Sequence, residues 1–74
     1  MLWFDNSKES MGTKIAKGIE YYEKKYGRKP DLVLVNPQMW DGGKPKRFQL
    51  GNIWVQPYRP VLPGHIWIGI EYKN

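Results

Sequence analysis

The feature that most restricts this chain is a change of hydrophobic period at Gly27–Pro30. Before it, Met11, Ile15, Ile19, Tyr22 and Tyr26 recur at steps of four, four, three and four. That spacing puts all five on one narrow stripe of a 3.6-residue helix. After it, apolar residues come in a short continuous run or in strict alternation, with Pro and Gly between the runs, which is the pattern of strands and turns. One amphipathic helix followed by strands within 74 residues points to a single α+β domain over residues 1–74, whose helix covers one face of a small sheet. The expected architecture is one N-terminal helix packed on a mostly antiparallel sheet of three or four strands.

Helix boundaries follow from capping chemistry. Asn6 followed by Glu9 has the spacing of a capping box, while Lys24, Lys25, Gly27 and Pro30 supply basic last-turn residues, a left-handed stop and a breaker. These signals predict a helix from Ser7 to Tyr26. Gly18 lies beside the apolar stripe, where the absence of a side chain lets a neighbouring element approach closely.

Leu32-Val33-Leu34-Val35 is a continuous apolar run and reads as a central strand covered on both faces. From His65 to Tyr72 the chain alternates. Ile66, Ile68, Ile70 and Tyr72 share one face, and His65, Trp67, Gly69 and Glu71 share the other. Asn52–Gln56 has strand character, with Arg47–Leu50 as the start of the same strand ahead of a bend or bulge at Gly51. Leu2-Trp3-Phe4 adds a short edge strand. The expected core is Ile15, Ile19, Tyr22, Val33, Val35, Ile53, Val55, Ile66, Ile68 and Ile70.

So small a core is usually reinforced by disulfides, a metal or association. With no Cys and one His among the 74 residues, aromatic packing or a partner takes that role. Four Trp, five Tyr and two Phe make this a ring-rich chain. Its formal net charge of +5 favours acidic protein surfaces, nucleic acid or anionic lipid as partners. No apolar run approaches the ~20 residues of a membrane span. Met1-Leu2-Trp3-Phe4-Asp5 lacks the regions of a signal peptide, so a cytoplasmic protein is expected.

Catalytic signals are weak. His65 has no second His or Cys beside it, and a histidine opening a strand after Pro-Gly reads as structural. Asp31, Asp41 and Glu71 each have ordinary strand-end, turn or surface roles. Gly42-Gly43-Lys44 lacks the spacing and the Ser/Thr of a phosphate loop, and Pro45 removes a backbone donor. Pro57-Tyr58-Arg59-Pro60 matches a polyproline-ligand template but joins two strands. The expectation is a protein without catalytic activity and without a cofactor.

Two surfaces remain as binding candidates. Alternation turns Trp54 and Trp67 away from their aliphatic neighbours, and with Trp40, Tyr58 and Arg59 they form the candidate protein-contact set, for a protein partner or self-association. Lys14, Lys17, Lys24, Lys25 and Arg28, joined by Lys44, Lys46 and Arg47, form a candidate nucleic-acid contact set.

The order of signals also resembles a known pattern. A helix ends in Tyr26-Gly27, Leu32–Val35 closes in Asn36-Pro37, Leu50-Gly51-Asn52-Ile53-Trp54-Val55 follows, and Leu62-Pro63-Gly64-His65 turns into the last strand. Residues 15–70 thereby resemble the axial subdomain of tailed-phage major capsid proteins and their encapsulin-like relatives. This chain lacks that family's long spine helix, peripheral subdomain, extended loop and N-terminal arm. The resemblance implies a small phage-related domain whose work is contact with other proteins, and it carries over no catalytic residues.

Overall fold

A computed structural model describes residues 1–40 and 42–71. Its elements are β1 (Leu2–Phe4), α1 (Met11–Tyr26), β2 (Leu32–Val35), a 3-10 turn (Pro37–Met39), β3 (Phe48–Leu50), β4 (Ile53–Pro57) and β5 (His65–Gly69). The strands form one five-stranded sheet in the order β1-β5-β2-β4-β3. Three neighbouring pairs are antiparallel, and β2 with β4 is parallel. The α+β reading therefore holds, with a mixed, mostly antiparallel sheet one strand larger than the upper expectation.

The extra strand comes from Gly51. Leu50 pairs with Ile53, so Gly51-Asn52 is a two-residue hairpin loop, and Gly51 takes φ 58°. A left-handed first position suits Gly and matches the twist of a hairpin. Residues 47–56 are thus two antiparallel strands rather than one bulged strand.

α1 starts four residues later than the capping-box spacing predicts. Ser10 is the N-cap, its side chain accepting a hydrogen bond from the Thr13 amide at 3.2 Å. Upstream, Asp5 Oδ1 accepts from the Ser7 amide at 2.9 Å, a local turn that competes with helix. Glu9 is drawn into an ion pair with Lys17 at 2.7 Å and does not close a capping box. The C-terminus ends as expected at Gly27, with φ 69° and its amide bonded to the Glu23 carbonyl at 2.8 Å.

Met11, Ile15 and Tyr22 of α1 pack on Val33, Val35, Val55, Ile66 and Ile68 of the sheet. Ile15, Val33, Val35, Val55, Ile66 and Ile68 are fully buried, each stabilising the fold by about 1.5–3 kcal/mol relative to exposure. Ile19 and Ile53 are half-buried against this core with Trp3, Trp40 and Phe48. Ile70 is also half-buried, because β5 ends at Gly69. Asp41, given an ordinary structural role above, and Tyr72, placed above on the isoleucine face, lie outside the described residues.

Gly18 is a point of close approach between helix and sheet. A Cβ there would lie 2.5 Å from Ile68 Cδ1 and 3.1 Å from Trp3 Cδ1. Asn36 is the buried polar residue that closes β2. Its amide nitrogen donates to the Arg59 and Val61 carbonyls at 3.2 and 2.8 Å, and its Oδ1 accepts from the Gln38 amide at 2.8 Å. This ties the Pro57–Gly64 loop to the end of β2 and satisfies three backbone groups.

Candidate docking face

The register settles which side chains share the face away from α1. Cross-strand partners lie on the same side of a sheet. Leu2 pairs with Trp67, Phe4 with His65, Leu34 with Trp67 and Gln56, Leu32 with Trp54 and Gly69, and Gln49 with Trp54. All of these residues face opposite to Val33, Val35, Val55, Ile66 and Ile68. No described helix covers them, since α1 packs on the other face.

The open face is apolar along most of its width. Leu2 is 60% and Phe4 56% exposed, while Leu32, Leu34, Trp54 and Trp67 are half-buried by their neighbours. β2 is therefore central, but its second face is only partly covered, contrary to the reading of a strand covered on both sides. Trp67 lies flat over Gly69, where a Cβ would stand 2.8 Å from its Cζ2. Phe4 packs on His65 with ring centroids 4.9 Å apart, and the His65 Nδ1 is buried without a hydrogen-bond partner. At the far side Arg47 stacks on Trp54, its guanidinium carbon 3.9 Å from the ring centroid, an arrangement that is favourable and keeps the cation at the surface.

Of the candidate protein contacts, Trp54 and Trp67 lie on this face. Trp40 lies elsewhere: it packs against the helix-side core, edge-on to Phe48 at 6.0 Å. Tyr58 and Arg59 follow β4 at the end of the sheet. The Tyr58 amide donates to the Val35 carbonyl at 2.8 Å, and Arg59 borders an open depression of about 400 Å³ with Asn36, Pro37 and Gln38. Leu2, Phe4, Leu32 and Leu34, absent from the sequence-derived set, add the aliphatic and phenyl part of the face. Alternation in β1 and pairing to β5 are the signals that reveal them, and the second of these is not local in sequence.

The basic residues lie on α1 and on connecting segments. Lys17 is paired with Glu9, and Lys24 with Glu20 at 3.3 Å. The Glu9 hydrogen bond raises the Lys17 pKa above its ordinary value. Lys25 lies 5.4 Å from the Tyr26 ring centroid. Lys14 is half-buried on α1, and Arg28, Lys44 and Lys46 are exposed on connecting segments. Arg47 is the one member of that set shown against an aromatic residue of the open face. Among the described residues, no cluster of three or more His, Asp or Glu is placed to hold a metal ion, and no helix is long and apolar enough to cross a membrane. No family model, curated protein or solved structure matches this chain.

Proposed function

We propose that this chain is a non-catalytic docking module that engages a partner protein through the open face of its sheet. The observation that carries the reading is the row Phe4, Leu2, Trp67, Leu34 and Trp54, which crosses from β1 to β4 with no described element above it. A sheet face meant for solvent alternates to polar residues, whereas this one presents two tryptophans, three leucines and a phenylalanine beside Gln49, Gln56 and His65. Trp and Arg are also the side chains that most often dominate binding energy at protein interfaces. Arg47 at the edge of the row and the net charge of +5 favour a partner whose apolar patch has an acidic rim. The resemblance to a phage capsid subdomain supports a role in assembly. The nucleic-acid reading has net charge behind it, but two of its lysines are engaged by glutamates.

The test compares affinity capture by the wild-type chain and by a Trp54→Thr/Trp67→Thr variant whose fold is verified by circular dichroism. A partner retained by the first and lost by the second is expected. Equal capture by both would place the binding elsewhere. Titration with labelled DNA and RNA at low and moderate salt forms the second arm. Salt-sensitive nucleic-acid binding that survives the double substitution would overturn the proposal.

A further inference from the structure

The two edges of the sheet are treated differently by the sequence. Both edge strands are three residues long, but the β3 edge is closed by the Gly51-Asn52 hairpin and preceded by Pro45, Lys46 and Arg47, and proline and charge at an edge discourage pairing with another chain. The β1 edge carries none of these. It reads Leu2-Trp3-Phe4, and its two outer side chains are more than half exposed.

Its backbone polarity can be read from the bonds to β5. Met1 and Ile68 exchange both hydrogen bonds, at 2.6 and 2.7 Å, and the Asp5 amide donates to the Gly64 carbonyl at 2.9 Å. In an antiparallel ladder, bonded and non-bonded pairs alternate. Met1, Trp3 and Asp5 therefore turn their amides and carbonyls toward β5, and Leu2 and Phe4 turn theirs to the free edge. The free groups are symmetric about Trp3.

We infer that β1 pairs antiparallel with β1 of a second copy of this chain, about a two-fold axis at Trp3. In that register Leu2 of each copy faces Phe4 of the other. Each such pair exchanges two bonds, so four backbone hydrogen bonds form and all the outward groups of Leu2 and Phe4 are satisfied. A second copy fits because the edge is complementary to itself, as an isologous interface requires. The Leu2 and Phe4 side chains meet on the open face, and the five-stranded sheet continues into a ten-stranded one. On the helix side, a groove of about 260 Å³ bounded by Trp3, Lys17, Glu20, Tyr21 and Lys24 borders the same edge. Its charges are of both signs, so the copies approach there without a wall of like charge. Three-residue strands bury well under the ~1,200 Å² of a standard stable interface, so the dimer is a weak one, populated at high protein concentration. The inference does not rest on the docking reading.

Sedimentation velocity of the full chain from about 10 μM to about 1 mM, with amide exchange followed by NMR over the same range, tests it. The expected result is a concentration-dependent shift to dimer in which the Leu2 and Phe4 amides slow by about tenfold once nine-tenths of the chains are paired. Phe4→Pro removes an outward donor without touching a bond to β5, which edge strands tolerate, and is expected to leave a folded monomer. Leu2→Lys, which leaves every backbone group in place, is expected to do the same and serves if the proline variant does not fold. A chain that stays monomeric throughout would overturn the inference. So would a dimer whose Leu2 and Phe4 amides exchange as fast as in the monomer, or one that persists in the folded variants. Loss of partner capture with dimerisation intact would strike the docking reading alone.

Discussion

The two faces of this sheet are built from the same strands and do opposite things. Under α1 the residues are β-branched aliphatics, Val33, Val35, Val55, Ile66 and Ile68, all fully buried. One position along each strand, the other face carries larger, flatter and partly exposed groups, with Trp67 beside Ile68 and Leu34 between the two valines. Branched side chains fill a closed interior in few rotamers. Broad rings give contact area at low conformational cost when a second surface arrives. The difference separates residues that hold the fold from residues available for contact, even where they are adjacent in sequence.

Substitution at neighbouring positions should break or confirm that separation. Ile68→Ala is expected to cost about 2–5 kcal/mol by leaving a cavity under α1, a large part of the ~5–15 kcal/mol that holds a typical domain. Trp67→Thr, one residue away, is expected to cost about 1 kcal/mol, because its face is already partly in water. Urea denaturation of the two variants decides. Equal losses would mean that the open face is core in all but appearance.

The glycines of α1 sharpen the comparison on the helix. Gly18→Ala should destabilise by about 1–3 kcal/mol, since the added methyl meets Ile68 and Trp3 and overpacking outweighs the ~1 kcal/mol gain in helix propensity. At Gly12 a Cβ would have no neighbour within 4 Å, so Gly12→Ala should stabilise by about 0.5–1 kcal/mol. Opposite signs in thermal melts are the expected outcome. A stabilising Gly18→Ala would show that helix and sheet are not in close contact there.

Exposed charge should matter least. Hydrogen bonds from the Ser7 side chain and then its amide lower the Asp5 pKa. The resulting stabilisation is present above the unfolded value of ~3.9 and is lost as pH falls through the lower folded value. For Lys17, raised by Glu9, it is present below the unfolded value of ~10.4 and lost as pH rises through the higher folded one. NMR titration of the two side chains should show both displacements, with only a small change in melting temperature between pH 5 and 9.

Some of the site was legible in advance. Alternation alone places Trp54 and Trp67 opposite the isoleucines. It does not place Leu2 and Phe4 beside Trp67, because that requires β1 to pair with a strand some sixty residues later. Trp40 illustrates the converse. Its ring suggests surface contact, but the 3-10 turn Pro37–Met39 that it caps leads it to Phe48 and the core. Lys17 and Lys24 read from the sequence as candidate nucleic-acid contacts, and in the fold each is paired with a glutamate.

By itself the sequence determined the helix, its Gly27 stop, the strand at Leu32–Val35 and the inward face of β5, all properties of period and capping within a few residues. Tertiary structure alone decided the β1-β5-β2-β4-β3 order, the parallel pairing of β2 with β4 and the apolar row across the open face. A two-residue period states which side chains share a face of one strand. Which strands lie side by side is decided by long-range pairing and by how the helix stripe is covered, and no local pattern encodes that.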